Sequence, residues 1–242
     1  MDIKSHAFTL PFLKKEQIAK DTFAFYFDRT KEQWDFYPGQ YVRMMLPHDH
    51  PDDRGTMRYF TISSSPTDTT HLRIITKVIA SSFKKNMYSL RAGDAVSFYG
   101  PNGDFYFQED KPSHVLLAGG IGMTPFISLI QYVAAKSLKQ EITLIVSFST
   151  TEEMILYEQL SQISEKHKNI KVVYTITNPQ NMLWKGATGR ISAELIKKYV
   201  PDIVSPLYYI VGPPPMVEAT VQMVGEMVVP EEHILQEHFS GY

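Results

Sequence analysis

Hydrophobic and polar positions alternate in short runs through the first 110 residues. Five of these runs have strand length, contain β-branched and aromatic residues and end at turn signals, namely residues 23–28, 40–46, 59–64, 71–77 and 95–99. Pro38-Gly39 and Gly93-Asp94 are typical of the tight turns that join such strands. Strands this close together in sequence predict a small antiparallel barrel or sandwich.

From residue 114 onward the pattern changes to strands that alternate with helices. The apolar runs of buried-strand length are residues 115–118, 142–148, 171–177, 208–211 and 234–239. Helix-period patterns separate them at residues 124–135, 152–166, 192–199 and 214–226. This alternation predicts a doubly wound α/β domain with a parallel sheet, whose ligands bind at the carboxyl ends of the strands. The polar stretch 108–112 divides the chain, so we expect domains at residues 1–110 and 111–242.

Composition is that of an ordinary globular protein, with 43% hydrophobic and 21% charged residues in 242. A net charge of −2 with scattered lysines and arginines argues against nucleic acid as a partner. The longest apolar runs are far shorter than the ~20 residues that span a bilayer, so no transmembrane segment is predicted. The N-terminal residues lack the pattern of a signal peptide, and the default expectation is a cytoplasmic protein.

The sequence contains no cysteine. A thiolate-bound iron-sulfur cluster, a disulfide and a cysteine nucleophile are therefore excluded, and electron chemistry would need an organic cofactor or a metal held by histidines and carboxylates. One segment, residues 47–55, is rich in His and Asp. Its prolines and its polar density favour an exposed loop over a metal site.

A glycine-rich turn follows the first strand of the second half. Gly119, Gly120 and Gly122 lead into a helix that begins near Thr124 and Pro125. Glycines let the backbone approach a pyrophosphate, and the helix N-terminus offers free N–H groups. A tight structural connection is the alternative, but the strand, turn and helix context favours phosphate binding.

A second loop of this kind runs from Tyr209 to Val217 and contains Gly212, three prolines and Met216. It would lie at the carboxyl edge of the same sheet, beside the first loop, where it could close over a dinucleotide. Alone, such a loop is more often structural.

In the first half, Arg58, Tyr59, Phe60 and Thr61 place a cation, two rings and a hydroxyl in one strand. By itself this could be a barrel strand with an exposed arginine. Together with the glycine-rich turn it resembles the ferredoxin-NADP reductase superfamily, whose flavin strand follows the pattern Arg-x-Tyr-Ser or Arg-x-aromatic-Thr. The resemblance extends over nearly the whole chain through segments 37–42, 81–84, 90–94, 100–105 and the two glycine-containing loops.

The resemblance implies an N-terminal FAD-binding antiparallel β-barrel and a C-terminal NAD(P)-binding domain. Arg58 would pair with the FAD pyrophosphate, Phe60 would stack on the isoalloxazine, and Thr61 would hydrogen-bond near flavin N5. Further FAD contacts are expected from Tyr59, Ile74, Thr76, Ser81, Ser82, Phe83 and Lys84. The nucleotide would contact Gly119, Gly120, Gly122, Thr124, Ser147, Gly212 and Met216.

The chain ends in Glu237-His238-Phe239-Ser240-Gly241-Tyr242, and plant-type members of the superfamily end in Glu-x-aromatic. By this resemblance Phe239 would cover the second flavin face and yield to nicotinamide, and Glu237 would help proton transfer. The alternatives are a solvated carboxylate for Glu237 and a hydrophobic plug for Phe239, and the role of Tyr242 is left open. With Thr61, these two residues are the candidate catalytic groups.

Two features depart from the superfamily pattern. Phe60 stands where many relatives have tyrosine, so a hydroxyl contact to the ribityl chain is missing. Segment 81–84 has no glycine, which leaves its backbone less free to approach phosphates.

Residues 147–153 carry no cation and two carboxylates, which favours NADH over NADPH because a 2′-phosphate needs positive charge. Lys185 and Arg190 could supply that charge from another loop.

The predicted function is electron transfer from NAD(P)H through FAD to a separate one-electron acceptor. The acceptor would be ferredoxin or flavodoxin, or a small molecule such as free flavin or a ferric chelate. The alternatives are an FAD-carrying subunit of a larger oxygenase or dehydrogenase complex, and a scaffold that has lost FAD. Fold-level resemblance does not choose an acceptor.

Overall fold

The computed structural model describes residues 4–79, 81–179 and 184–239. In the first half, the strands are β1 (His6–Ala19), β2 (Thr22–Asp28), β3 (Tyr41–Met45), β4 (Met57–Thr61), β5 (His71–Lys77) and β6 (Ala95–Asn102), and helix α1 (Ser82–Ser89) precedes β6. They form one antiparallel sheet in the order β4-β3-β6-β1-β2-β5. Beyond β4, the Ser63 amide donates to the Arg73 carbonyl on β5 at 2.9 Å. The two edges of the sheet therefore meet, which closes it into a barrel.

The second half contains β7 (Ser113–Gly119), α2 (Thr124–Lys136), β8 (Glu141–Phe148), α3 (Tyr157–Lys166), β9 (Ile170–Ile176), β10 (Ala187–Thr188), α4 (Ala193–Tyr199), β11 (Leu207–Gly212), α5 (Pro214–Glu226) and β12 (Ile234–His238). The strands are parallel and lie in the order β10-β9-β8-β7-β11-β12. The order reverses between β7 and β11, and a crevice opens at the carboxyl ends of strands at such a reversal.

The predicted barrel and parallel α/β sheet are confirmed, and three elements were missed. Strand β1 was not among the predicted strands, and it contains Pro11, which cannot donate a backbone hydrogen bond. Pro11 lies where β1 changes its partner from β6 to β2, and this position tolerates it. The other missed elements are the short helix α1 and the two-residue strand β10.

The helix predicted at residues 152–166 was wrong at its start, since α3 begins at Tyr157. Ile155 is fully buried in the core, and Leu156 has a left-handed conformation with φ of 49°. The chain therefore turns inward before the helix begins, and Glu152 and Glu153 lie in a separate 3₁₀ turn.

The two sheets are packed against each other through a shared core. Ala24, Ile75 and Phe107 from the barrel side join the apolar cluster that lies under α2 in the second half. Burial of apolar surface at this boundary stabilises the relative position of the domains. Within the described residues, none of the helices is both long enough and apolar enough to cross a lipid bilayer.

Candidate cofactor-binding cleft

The glycine-rich turn has little room for side chains because it packs against the β11–α5 loop. A Cβ on Gly122 would lie 2.7 Å from the Val211 carbonyl oxygen, and one on Gly119 would lie 2.9 Å from the Met216 sulfur. Gly120 differs, since its φ is 52° and the space beyond its Cα is open. The turn therefore exposes backbone at Gly120 and leads into α2 at Thr124, which is 2% exposed.

A cleft of about 590 Å³ opens above this turn. Among the predicted residues, Gly119, Gly120, Ser147 and Met216 line it. Its wall also includes residues that were not predicted, namely Lys77, Ile79, Thr177, Ile191 and Thr220. Glu153 and Arg190, which the sequence raised only for the choice between NADH and NADPH, lie there as well. Lys77 and Ile79 come from the barrel, so the cleft lies between the two domains.

Lys77 and Glu153 form an ion pair of 3.6 Å across the domain boundary. Both side chains are about a quarter exposed. The end of β5 thereby places the cation of Lys77 in the cleft. This position depends on how the barrel packs against the second sheet, so the sequence pattern does not predict it.

The N-terminus of α1 forms a second cationic site, on the barrel. Ser81 caps the helix by accepting a hydrogen bond from the Lys84 amide at 3.1 Å, and Ser82 lies 3.3 Å from His48 Nε2. Lys84 is only 8% exposed, and burial, together with Arg54, Arg58 and Lys77, lowers its pKa to about 8. Several cations beside a helix N-terminus are the arrangement that binds phosphate groups.

Arg58 is held in place by its own loop. Its guanidinium donates to the carboxylate of Asp52 and to the carbonyl oxygens of Arg54, Gly55 and Met57. It lies 5.1 Å from the ring centre of Phe83. The segment that was predicted as an exposed loop therefore also orients the predicted pyrophosphate arginine.

Strand β4 divides its side chains between two faces. Phe60 is 8% exposed and packs with Phe83 in the barrel core, on the same side as Arg58. Tyr59 lies on the other face, is 62% exposed and contacts the ring of Tyr41 edge-on. Thr61 pairs in register with Tyr41 and so shares this outer face. The structure thus does not bring Tyr59 and Phe60 together.

Strand β12 and the residue after it hold the two predicted C-terminal groups beside β11. Glu237 pairs with Val211, and the Phe239 amide donates to the Gly212 carbonyl at 2.9 Å. Burial raises the pKa of Glu237 to about 7. A carboxyl group with this pKa can hold or release a proton at neutral pH. Ser240, Gly241 and Tyr242 lie outside the described residues.

Two predicted contacts lie elsewhere on the barrel. Ile74 is fully buried in the barrel core, and Thr76 is 4% exposed on the same face of β5. Arg73, Ile75 and Lys77 occupy the other face, which contacts the nucleotide domain.

Both cofactor sites suit the groups that the fold implies. The cations around Lys84 match a pyrophosphate. On the nucleotide side, the space beyond Gly120 is open, while Gly119 and Gly122 lie where a Cβ would collide with the β11–α5 loop. Residues 9–107 match the family described as "Oxidoreductase FAD-binding domain", and residues 116–222 match "Oxidoreductase NAD-binding domain".

Curated relatives are similar over most of the chain. The anthranilate 1,2-dioxygenase electron transfer component of Acinetobacter baylyi is 25% identical over 93% of this chain and 64% of its own length. NADH-cytochrome b5 reductase 1 of Mortierella alpina is 29% identical over 78% of this chain and 63% of its own length. The chain therefore spans less than two thirds of each relative.

Solved structures share the fold. The cytochrome P450 reductase of Amycolatopsis superposes with a TM-score of 0.85 and 22% identity, over 99% of this chain and 72% of that protein. A ferredoxin NADP⁺ reductase from Neisseria gonorrhoeae, with bound FAD and NADP, has a TM-score of 0.78 and 21% identity, over 96% and 98%.

Proposed function

Because this chain belongs to the ferredoxin-NADP reductase superfamily, we propose that it transfers electrons from NAD(P)H through FAD to a separate one-electron acceptor. The observation that carries the proposal is the shared cleft, since the glycine-rich turn and the end of β5 line the same space. FAD, when bound, accepts two electrons as a hydride and releases them singly.

On the nucleotide side, Gly120 would present its exposed backbone to the pyrophosphate, and the N-terminus of α2 would add favourable dipole charge. Gly119, Gly122 and Gly212 would keep the turn and the neighbouring loop close together. Further contacts would come from Thr124, Ser147 and Met216.

On the flavin side, Lys84, Arg58 and the α1 N-terminus with Ser81 and Ser82 would hold the pyrophosphate. Thr61 would donate or accept a hydrogen bond at the reacting edge of the ring. Phe239 would cover one ring face and exclude water, and Glu237 would hold the proton that the reaction moves.

The acceptor would be a small redox protein of the ferredoxin or flavodoxin class. The alternative is a subunit that carries FAD inside a larger oxygenase assembly, and one observation favours it: the similarity to a dioxygenase electron transfer component covers 93% of this chain. The proposal for a free reductase predicts turnover with a soluble acceptor, whereas the alternative predicts turnover only with its own assembly.

The test is the visible spectrum of the purified protein, reconstituted with FAD, before and after anaerobic addition of NADH and, separately, NADPH. We expect flavin bands that bleach, faster with NADH. Cytochrome c, ferricyanide and ferredoxin then report one-electron transfer.

Absence of flavin bands after reconstitution would overturn the flavoenzyme proposal. Bands that resist both nucleotides would favour the subunit alternative. Bleaching without transfer to any one-electron acceptor would refute the proposed electron splitting.

A further inference from the structure

Two side-chain hydrogen bonds join the domains beside the cleft. Arg73 on β5 donates from Nη2 to the Gln131 side-chain oxygen at 2.9 Å, and Ser128 donates from its hydroxyl to the Ser64 carbonyl at 2.7 Å. Ser128 and Gln131 are three residues apart on α2, so they share one helix face. Thr124, at the start of α2, lies on that face as well.

On the barrel side, Arg73 contacts Ser63 and Ser64, which follow the end of β4, the predicted flavin-binding strand. The Arg73 amide donates to Ser64 Oγ at 3.1 Å, and Arg73 Nε donates to Ser63 Oγ at 3.3 Å. Arg73 Nη2 also donates to the Ser63 carbonyl oxygen. The guanidinium therefore contacts both the segment that follows Thr61 and the helix that follows the glycine-rich turn.

Arg73 is a costly group to place at this point. Arg73 is 8% exposed, and its guanidinium hydrogen-bonds to neutral oxygens, of Ser63 in the barrel and of Gln131 across the domain boundary. Burial lowers its pKa, while Tyr26 and, less strongly, the carboxylates of Asp68 and Glu16 act in the opposite direction. Buried charges are expensive, and packed apolar residues could replace them where stability alone is needed. A positional role explains why a guanidinium is used.

We propose that Arg73 and Gln131 are positioning residues that fix the glycine-rich turn relative to Thr61. This inference rests on the proposed function. Hydride transfer requires the donor and acceptor atoms to lie about 3–3.5 Å apart in the correct orientation. One of the cofactors is held by the barrel and the other by the α/β domain. The bridge between Arg73 and Gln131 sets the distance between them.

The test uses Gln131→Ala, because Gln131 is only half-buried and its truncation leaves Arg73 and the barrel intact. Gln131→Glu restores an oxygen acceptor for Arg73. Gln222→Ala is the matched control, since it removes an exposed side-chain hydrogen bond of 3.0 Å from another helix of the same domain. FAD content, nucleotide Kd and the rate of anaerobic flavin bleaching at saturating NADH are measured for each.

For Gln131→Ala we expect bleaching that is slower by about tenfold or more, with unchanged FAD content and an unchanged nucleotide Kd. Gln131→Glu should recover most of the rate, and Gln222→Ala should match the wild type. A wild-type rate for Gln131→Ala, or a loss of rate that only follows a loss of FAD, would overturn the inference.

Amide hydrogen exchange on the FAD-free protein gives a readout that does not depend on activity. In Gln131→Ala, exchange should be faster in residues 62–66 and in α2, and unchanged in Gln222→Ala. Unchanged exchange in Gln131→Ala would show that the bridge does not hold the domains together. If the wild type fails to bleach at all, the proposed function fails, while this exchange measurement still tests the bridge.

Discussion

Glu237 on β12 lies close enough to Tyr41 on β3 to act on its ionisation, although the two residues belong to different domains. The pKa of Tyr41 is raised mainly by burial, then by Tyr59 and then by Glu237. Tyr41 pairs in register with Thr61, so the carboxyl group reaches the face on which Thr61 lies. This places the predicted proton carrier and the predicted flavin contact at the same junction.

The raised pKa of Glu237 predicts a dependence of stability on pH. The folded protein keeps this carboxyl protonated up to pH about 7, whereas the unfolded chain ionises it near 4.5. The free energy of unfolding of the FAD-free protein should therefore fall as pH rises from 4.5 to 7, by up to about 3 kcal/mol. Urea titrations at several pH values measure this.

In Glu237→Gln that pH-dependent loss should disappear, and so should any apparent pKa near 7 in the rate of flavin bleaching. Glu232→Gln removes an exposed carboxyl of the preceding turn and serves as the control. A Glu237→Gln protein that retains the wild-type pH profile would show that another group titrates.

Lys84 should destabilise the FAD-free protein and strengthen the binding of FAD. Its pKa of about 8 in the folded protein, against 10.5 for the free side chain, means that its charge destabilises the FAD-free fold at pH 7, by about 3 kcal/mol. This cost should diminish as pH rises from 8 to 10.5. Lys84→Met should therefore raise the free energy of unfolding without FAD and raise the Kd for FAD about tenfold or more.

Lys85→Met is the matched control because Lys85 is the exposed neighbour on the same helix. Denaturant titration measures the free energy of unfolding, and fluorescence titration measures the Kd for FAD. Equal FAD affinity in Lys84→Met and the wild type would remove Lys84 from the pyrophosphate site.

Gly122 and Gly225 should respond to alanine with opposite signs. A Cβ on Gly122 would meet the backbone at Val211 and Gly212 at 2.7 and 2.9 Å, so Gly122→Ala should destabilise the protein by about 1–3 kcal/mol and weaken nucleotide binding. Gly225 lies within α5 with no atom near its added Cβ, so Gly225→Ala should stabilise it by about 0.5–1 kcal/mol. Thermal unfolding and nucleotide titration compare the two variants, and equal effects would contradict the close approach of the two loops.

Arg190 should contribute to nucleotide binding, since it lies on the wall of the cleft proposed to hold the anionic dinucleotide. Arg190→Ala should raise the Kd of NADH about tenfold to a hundredfold, because a hydrogen bond to a charged group contributes about 1.5–3 kcal/mol. Lys185→Ala, on the exposed stretch before β10, is the comparison. Calorimetric titration measures the Kd of NADH for both variants. Equal increases in Kd would show that Arg190 contributes only general positive charge and makes no specific contact.

The sequence predicted best those elements that are specified by residues adjacent to one another along the chain. The turn at Gly119 and Gly120 and the end of β11 at Gly212 follow from strand, glycine and helix order, and they lie side by side as expected. Arg190 was named from the sequence as a source of positive charge, but Lys77 could not be placed in the cleft, because its contribution depends on how the barrel and the sheet pack together. Arg73 belongs to no motif, and its contact with Gln131 joins residues 58 positions apart.

The pairing of β1 has a consequence for how the chain is made. Residues 6–11 pair with β6, and residues 12–19 pair with β2, which follows directly. At ribosomal rates of about 5–20 residues per second, β6 emerges roughly 5–20 seconds after β1. Until then the apolar start of β1, with Phe8 and Leu10, presents an unpaired strand edge of the kind that promotes aggregation. The barrel, although it is synthesised first, is complete only when the ribosome approaches the domain boundary.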